Sequence, residues 1–287
     1  GQLYDAIISM EFNNTSRIIN LGQFNDGQKN KVLLIQSLSF VEQLLQWLWG
    51  LYKGYIPMVC HNEMDAAYID ELARIISVEG VPTSADFGVL TSGTTGRPKP
   101  LWRSESSWRE FFDIQNNIFH INKDTKIFLH GSFSFTGVSN MVVAVLWSGG
   151  TVITTSSLRP IRWIQLIDKY HVDHIYALPT KLRLLVRHCK SKLDSINYII
   201  AGSQVLDRQL MEQLERICPN MEFILYYGAT ELNYITHCTG KEWLDREGTV
   251  GRPFPSVQIE EQNGVIYVTT KHHIEGIPDT YTVNDCG

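Results

Sequence analysis

Residues 90–99 read Leu-Thr-Ser-Gly-Thr-Thr-Gly-Arg-Pro-Lys, and this stretch indicates both the fold and the chemistry of the chain. Seven of its ten residues are Thr, Ser, Gly or Lys, and the preceding residues 86–90 have the pattern of a buried strand. Glycines let backbone N–H groups turn toward a ligand, hydroxyls donate further hydrogen bonds, and Lys99 adds positive charge, which together suit an oligophosphate. The alternative is a flexible surface turn, but such a turn has no need of so many donors directly after a buried strand.

The spacing of this loop differs from that of the Walker A loop, in which Gly-x-x-x-x-Gly-Lys-Ser/Thr opens a helix. Lys99 follows Gly96 by three residues, and the prolines on both sides of Lys99 prevent a helix from starting there. The string at 91–99 resembles instead the phosphate-loop signature of the adenylate-forming superfamily, which includes acyl-CoA synthetases, adenylation domains of peptide synthetases and luciferases. The resemblance implies that the loop binds phosphate through Thr91, Ser92, Gly93, Thr94, Thr95, Gly96 and Lys99.

Composition limits the class of protein. The 287 residues suffice for one large domain or two small ones, and 44% hydrophobic with 19% charged residues is ordinary for a globular enzyme. A formal net charge of −5 without a Lys/Arg-rich run argues against nucleic acid as a partner. Five scattered cysteines indicate reduced thiols, and no N-terminal segment resembles a signal peptide, so we expect a cytoplasmic protein. The most apolar stretch, 32–59, is broken by polar residues and is a poor membrane span.

Strand and helix patterns alternate along most of the chain, which predicts an α/β fold of mainly parallel sheets flanked by helices. Beyond Thr230 the helix pattern stops, and a hairpin is expected around Gln262-Asn263-Gly264. Ser39 is the expected cap of the first helix. We expect strands at 31–36, 54–59, 86–90, 101–103, 125–130, 150–154, 173–177, 197–201, 221–226, 234–238, 256–261 and 265–270, and helices at 40–52, 63–77, 104–119, 138–148, 160–170, 180–190 and 206–217.

A second motif, Tyr226-Tyr227-Gly228-Ala229-Thr230-Glu231, follows a predicted strand, at a position where open α/β folds bind ligands. It offers an aromatic face, a glycine for close approach, a hydroxyl and a carboxylate, which suit a nucleobase, a phosphate and Mg²⁺. The alternative is an ordinary strand-to-turn transition with a buried tyrosine. Tyr-Gly-x-Thr-Glu resembles the second core motif of the same superfamily. The resemblance implies that Tyr227 stacks on adenine, Thr230 contacts the α-phosphate and Glu231 ligates Mg²⁺, with Thr230 and Glu231 as the catalytic residues.

Three further stretches are similar to superfamily elements, and the resemblance runs from about residue 31 to the end. Residues 201–206 resemble the segment that lines the adenine and acyl sites, and 248–255 resemble a Gly-x-x-Gly-x-Pro-x-Pro element beside the nucleotide. Residues 281–287 resemble Tyr-x-Thr-Gly-Asp-x-Gly, whose Asp binds both ribose hydroxyls. The resemblance therefore implies nucleotide contacts from Gly202, Ser203, Gln204, Tyr226, Tyr227, Gly228, Ala229 and Asp285.

The segment 131–137 departs from the superfamily pattern. It aligns with Pro-Leu-Phe-His-x-x-Gly of acyl-CoA synthetases, and Ser134 takes the place of the His that forms an aromatic wall of the acyl pocket. An altered pocket is therefore expected, lined by Phe133, Ser134, Phe135 and Gly137. Phe133, Phe135 and Tyr226 favour an apolar or aromatic acid. Residues 132–138 also lack the Asp with which peptide-synthetase domains usually hold an amino group, which argues against an amino acid.

The resemblance implies the large N-terminal domain of adenylate-forming enzymes, with sheets and helices over 1–232 and a β-rich portion of the same domain over 233–287. The hinge and the small C-terminal domain, which carries a lysine used in adenylation, are expected to be absent, so the chain alone is expected to be weakly active. The implied activity is ATP- and Mg²⁺-dependent conversion of a small carboxylic acid to acyl-AMP and pyrophosphate, followed by transfer to CoA. The alternatives are a standalone adenylation domain that loads a carrier protein, and a catalytically incomplete adenylate-binding domain.

Overall fold

A computed structural model of the protein describes residues 17–20, 31–91, 97–202 and 204–282. The strands are β1 Arg17–Asn20, β2 Lys31–Ile35, β3 Ile56–Val59, β4 Phe87–Leu90, β5 Pro100–Arg103, β6 Lys126–Leu129, β7 Thr151–Ile153, β8 His174–Tyr176, β9 Tyr198–Gly202, β10 Glu222–Ala229, β11 Asn233–Thr239, β12 Arg252–Pro253, β13 Gln258–Gln262, β14 Val265–Thr269 and β15 Thr280–Tyr281. The helices are α1 Phe40–Tyr52, α2 Ala66–Glu79, α3 Ser106–Ile118, α4 Thr136–Trp147, α5 Pro160–Tyr170, α6 Pro179–His188, α7 Arg208–Ile217 and α8 Gly240–Asp245.

The chain forms two compact units. The first comprises Gly1–Arg109, Gly131–Asn140 and His272–Pro278, and the second comprises Glu110–His130, Met141–Lys271 and Asp279–Gly287. The predicted division of the chain at residue 232 into an α/β part and a β-rich part stays a prediction. Within the described ranges, every helix is too short or too polar to cross a membrane.

The first unit contains a five-stranded sheet of order β1-β2-β3-β4-β5. Strands β2, β3 and β4 are parallel, whereas β1 and β5 pair antiparallel at the two edges. Val32 to Ile35 are fully buried, as expected for a parallel strand covered on both faces. Helix α1 begins after Ser39, whose side chain accepts a hydrogen bond from the Glu42 backbone N–H at 3.4 Å. The predicted strand–helix–strand unit over 31–59 and its cap are therefore confirmed.

The second unit contains a seven-stranded sheet of order β12-β11-β10-β9-β8-β6-β7. Strands β6 to β10 are parallel to one another, whereas β11 pairs antiparallel with β10 and β12 pairs antiparallel with β11. Helices α5, α6 and α7 connect successive strands from β7 to β10. Buried side chains of these helices, such as Trp163, Leu185 and Leu214, share one core with Ile175 and Ile199 of the sheet. The predicted alternation is confirmed, and the carboxyl ends of the parallel strands lie along one edge of the sheet.

The region after Thr230 is richer in strands but is not free of helices. The predicted hairpin is confirmed, because β13 and β14 pair through Gln262 and Val265, and Asn263 and Gly264 have φ of +54° and +80°. The expectation that helices stop at Thr230 is wrong, since α8 follows. The sequence feature that marks the start of α8 is a capping box, in which the side chains of Thr239 and Glu242 each accept a hydrogen bond from the other's backbone N–H. Six residues are too few to show a helical period. Strand β1, an edge strand of four residues, was also not predicted.

Candidate functional site

The predicted phosphate loop joins β4 to β5, and its two ends form what we call the loop neck: Thr91, Arg97, Pro98 and Lys99. The backbone N–H of Thr91 donates to the Lys99 carbonyl at 3.1 Å, and the N–H of Lys99 donates to the Thr91 hydroxyl at 2.9 Å. This hydroxyl accepts one hydrogen bond and still has a proton to donate. Thr91 and Lys99 therefore close the neck, while the predicted phosphate-binding residues 92–96 lie outside the described residues.

Helix α2 supports the loop neck from one side. The Tyr68 hydroxyl donates to the Pro98 carbonyl, and Arg97 pairs with Glu71 while its guanidinium lies 5.1 Å from the centre of the Tyr68 ring. Burial, followed by the charge of Glu71, raises the pKa of Tyr68 above its ordinary value, so the phenol stays a neutral donor. The neck is thus fixed to a helix as well as to the β4–β5 hairpin.

In the first unit, Gln43 of α1 organises the predicted pocket segment. The Gln43 side-chain amide is buried, and its Nε2 donates to the Ser37 carbonyl at 2.7 Å and to Asn62 Oδ1 at 2.9 Å. Its Oε1 accepts from the Ser132 hydroxyl at 3.1 Å and from the Phe133 N–H at 3.0 Å. All donors and acceptors of one amide are therefore used, which fixes the backbone at 132–133.

His61, which the sequence analysis did not identify, lies between this segment and the loop neck. Its Nδ1 is 2.8 Å from the Ser134 hydroxyl and its Nε2 is 3.2 Å from the Thr91 carbonyl oxygen. Because a carbonyl only accepts, Nε2 is the donor in the second contact. The ring also stacks on Phe135 at a centroid distance of 5.0 Å. We call Gln43, His61, Asn62, Ser132 and Ser134 the polar network. Its position in the sequence could have identified it, because His61 follows the carboxyl end of β3 as the predicted phosphate loop follows β4.

The predicted pocket residues take different places in the first unit. Phe133 is only 1% exposed and packs edge-on against Phe40 and Trp47, at 5.8 and 5.9 Å between ring centroids. Ser134 is buried within the polar network, and Gly137 lies in the first turn of α4. Phe135 is 43% exposed, so it is the aromatic side chain that this segment presents at the surface. Whether these residues line an acyl pocket stays a prediction.

In the second unit, the motif at 226–231, which we call the strand end, lies on the carboxyl side of β10. The strand does not end at residue 226, as predicted, but continues to Ala229, and Thr230 and Glu231 begin the turn to β11. Tyr226 pairs with Gly202 of β9, and a Cβ atom at Gly202 would lie 2.5 Å from the Tyr226 carbonyl oxygen. Only glycine allows this approach, so two predicted nucleotide-binding stretches meet at one edge of the sheet.

The adjacent tyrosines of the strand end have different surroundings. Tyr226 is buried, its hydroxyl lies 2.6 Å from that of Tyr176, and its ring packs edge-on against Tyr234 at 4.8 Å. Burial, and then the neighbouring Tyr226, raises the pKa of Tyr176 well above its ordinary value, so the Tyr176 hydroxyl stays protonated. Tyr227 points to the opposite face of the strand and is half-buried. The ring of Tyr226 therefore belongs to the core, and Tyr227 supplies the motif's accessible ring.

Glu231 and Gln204 complete the described part of the predicted site in the second unit. The exposed Gln204 accepts a hydrogen bond from the Thr180 backbone N–H at 3.2 Å, at the start of α6. Glu231 is half-buried, and among the described residues no group of three or more His, Cys, Asp or Glu side chains is arranged to hold a metal ion. A single carboxylate fits Mg²⁺, which is commonly held by one or two carboxylates together with substrate phosphates. Ser203 and Asp285 lie outside the described residues.

Comparison with known proteins gives consistent results. A family model for AMP-binding enzymes matches residues 77–264. The uncharacterized acyl-CoA ligase YhfT of Bacillus subtilis (strain 168) is 28% identical over 245 residues, which cover 79% of this chain and 50% of YhfT. Tyrocidine synthase 3 of Brevibacillus parabrevis is 24% identical over 201 residues, which cover 68% of this chain and 3% of that protein.

A solved structure shows the same fold. O-succinylbenzoate coenzyme A synthetase from Bacillus subtilis, in complex with ATP and magnesium ion, superposes with a TM-score of 0.70 at 15% identity. The match covers 85% of this chain and 61% of that chain. At this identity the likeness establishes the fold alone. The chain spans about half the length of YhfT.

Proposed function

Because the chain belongs to the family of AMP-binding enzymes, within the adenylate-forming superfamily, we propose that it activates a carboxylic acid with ATP and transfers the acyl group to CoA. The observation that carries the proposal is the position of the strand end. Its residues follow the parallel pairing of β9 and β10 at Gly202 and Tyr226, on the edge where open α/β sheets bind ligands. The matched family region, 77–264, also includes the whole loop 91–99.

The proposed reaction has two steps. A carboxylate oxygen attacks the α-phosphorus of ATP, and the bond from that phosphorus to the oxygen bridging to the β-phosphate breaks, which releases pyrophosphate. The thiolate of CoA then attacks the acyl carbonyl and displaces AMP. The first step brings two anions together, so the protein contributes mainly positioning and charge stabilisation.

Each part of the nucleotide has a proposed partner. The loop 91–99, with Lys99, binds the β- and γ-phosphates, and its closed neck supports this role by fixing both ends of the loop. Tyr227 stacks on adenine, Thr230 contacts the α-phosphate, and Asp285 binds the ribose hydroxyls. Glu231 ligates Mg²⁺, which when bound neutralises phosphate charge.

We propose an apolar or aromatic acid as the substrate. The exposed ring of Phe135 supports this class, since it offers apolar surface beside the buried Ser134. The absence of a carboxylate from 132–138 supports it further, because an amino acid substrate needs a partner for its ammonium group.

The acyl acceptor has a second candidate. Tyrocidine synthase 3 is a relative of this chain, and the similarity favours a carrier protein as the alternative to CoA. The two acceptors are distinguished by supplying the acyl-adenylate with free CoA or with a phosphopantetheinylated carrier protein and measuring AMP release. AMP release with the carrier protein but not with CoA would contradict transfer to CoA. AMP release with neither would leave an adenylate-binding domain as the better description.

The cysteines support our proposal of a cytoplasmic location. Cys60, Cys189, Cys218 and Cys238 are free thiols. Burial raises the pKa of Cys60 and of Cys218 to about 12, so both stay protonated and unreactive. Free buried thiols are typical of proteins that fold in a reducing compartment.

Thermal shift with non-hydrolysable acyl-adenylate mimics, from acetyl to long-chain and aryl, tests the proposal. A mimic at one hundred times its Kd should stabilise the native state by about 2.7 kcal/mol. Tyr227→Ala and Glu231→Gln should reduce the response to Mg·ATP, whereas the matched controls Tyr267→Ala and Glu260→Gln, in the β13–β14 hairpin, should not. Failure of every mimic and of Mg·ATP to shift the melting temperature of the wild type would contradict the proposed function.

A further inference from the structure

We propose that His61 is a positioning residue that couples the pocket segment 132–135 to the loop neck, so that the state of the acid pocket alters ATP binding. The inference rests on the proposed function, because it takes 91–99 as the phosphate loop and 132–135 as part of the acid pocket. It assigns His61 no contact with the reacting atoms. Its effect is transmitted through Thr91 and Ser134.

The two nitrogens of the imidazole have separate partners. Nδ1 contacts the hydroxyl of Ser134 at 2.8 Å, and Nε2 donates to the carbonyl of Thr91 at 3.2 Å. The same Thr91 closes the loop neck through two hydrogen bonds with Lys99. Because His61 is only 8% exposed and stacks on Phe135, the ring has little freedom to rotate. A displacement of Ser134 therefore moves the ring and, with it, the end of the phosphate loop.

The rest of the polar network makes this connection stiff. The Ser132 hydroxyl donates its proton to Gln43 Oε1 at 3.1 Å, so it can only accept from Ser134, whose oxygen is 2.9 Å away. The single proton of the Ser134 hydroxyl then goes either to Ser132 or to Nδ1 of His61. Because Nε2 of His61 donates to Thr91, Nδ1 of the neutral ring is available to accept, so Ser132 and His61 compete for this proton. A change at Ser134 cannot be absorbed locally, because Ser132 and Gln43 have no spare donor.

An imidazole is suited to this task because it presents a nitrogen to each partner from opposite sides of one rigid ring. The amide nitrogen of Asn lies near the position of Nδ1, and that of Gln reaches near Nε2. His61→Asn therefore keeps the contact with Ser134 and loses the contact with Thr91, whereas His61→Gln does the reverse. If His61 served only to pack against Phe135, both variants would lose the same amount of affinity for Mg·ATP.

The experiment measures the Kd of Mg·ATP by isothermal titration calorimetry for the wild type, His61→Asn, His61→Gln, Ser134→Ala and Ser134→Ala/His61→Asn. Loss of one hydrogen bond corresponds to roughly a three- to tenfold change in Kd. We expect His61→Asn to weaken the binding of Mg·ATP about tenfold and His61→Gln to weaken it at most about threefold. Ser134→Ala should weaken Mg·ATP about threefold in the wild type and not at all in the His61→Asn background.

The control is Ser107→Ala. Ser107 is a buried serine of the same unit, and its hydroxyl donates to the Ser104 carbonyl at 2.7 Å. The substitution should leave the Kd of Mg·ATP unchanged. Equal losses for His61→Asn and His61→Gln, additive losses in the double variant, or an unchanged Kd for Ser134→Ala would each overturn the coupling. If His61→Asn fails to fold, the coupling is still tested by comparing the Kd of Mg·ATP for Ser134→Ala with that for Ser107→Ala. A wild type that does not bind Mg·ATP would overturn the proposed function itself, and the coupling with it.

Discussion

The loop neck in the first unit and the strand end in the second unit are held by different interactions. The loop neck depends on polar side chains from several elements, among them His61 and Tyr68, each of which has specific hydrogen-bond partners. The strand end depends on backbone register and close packing, as at Gly202 and in the ring contacts of Tyr226. Substitutions should therefore harm the first region by leaving buried polar groups without partners, and the second by steric overlap.

The largest effect is expected from steric overlap beside the strand β11 that pairs with the strand end. Gly251 and Gly248 both have φ of +85°, but a Cβ at Gly251 would lie 2.1 Å from the His237 carbonyl oxygen, whereas one at Gly248 meets nothing within 4 Å. Gly248→Ala should cost only backbone strain, about 1 kcal/mol. Gly251→Ala should cost at least about 2 kcal/mol more in urea unfolding. Equal costs would show that packing does not control this region.

The next largest effect is expected in the polar network. Gln43→Ala removes the partner of Ser37, Asn62, Ser132 and Phe133, and should lower the free energy of unfolding by about 3 kcal/mol. Gln209→Ala, an exposed helical position in α7, is the matched control and should stay within about 0.5 kcal/mol. A similar small loss at Gln43 would mean that the network is not what holds the pocket segment.

A smaller effect is expected where the strand end contains a polar contact of its own. Tyr176→Phe removes the hydroxyl that lies 2.6 Å from the Tyr226 hydroxyl, between two rings stacked at a centroid distance of 5.9 Å. A double-mutant cycle with Tyr226→Phe should give a coupling of about 1 kcal/mol, measured by chemical denaturation. A coupling as large as the loss at Gln43 would remove the distinction between the two regions.

The smallest effect concerns pH. Burial, and then the charge of Arg252, lowers the pKa of His237, while Glu242 opposes the shift. Below about pH 6.5 the unfolded chain binds a proton that the folded chain resists, so the stability contributed by this group is present above pH 6.5 and is lost as the pH falls. His237→Gln should therefore flatten the decline in stability from pH 7 to pH 5 by less than about 1 kcal/mol. An unchanged slope in urea midpoints would contradict this.

Local patterns in the sequence were sufficient to predict the elements that position the site. Helix α1 with its cap at Ser39, the buried strand β2 and the Asn263-Gly264 turn each carry their own signal within a few residues. The roles of all the site residues stay predictions, and residues 92–96, 203 and 285 also lie outside the described ranges.

The polar network could not be predicted in the same way. His61 and Ser134 are 73 positions apart, and nothing near either residue indicates its partner. The adjacent Tyr226 and Tyr227 posed a related problem, since alternation places them on opposite faces without telling which face is the core. That choice depends on Tyr176 and Tyr234, which lie on other strands.

The closed loop neck has a consequence for protein engineering and for divergence. Since Thr91 and Lys99 bind each other through backbone groups and one hydroxyl, the ends of the loop keep their spacing whatever side chains lie between them. The hydrogen bonds of the neck offset the entropy lost when the two ends are brought together, and lengthening a closed loop increases that entropy loss only slowly. Loops of other lengths and compositions can therefore be grafted between Thr91 and Arg97 while the neck, its contacts with α2 and the β4–β5 hairpin are retained.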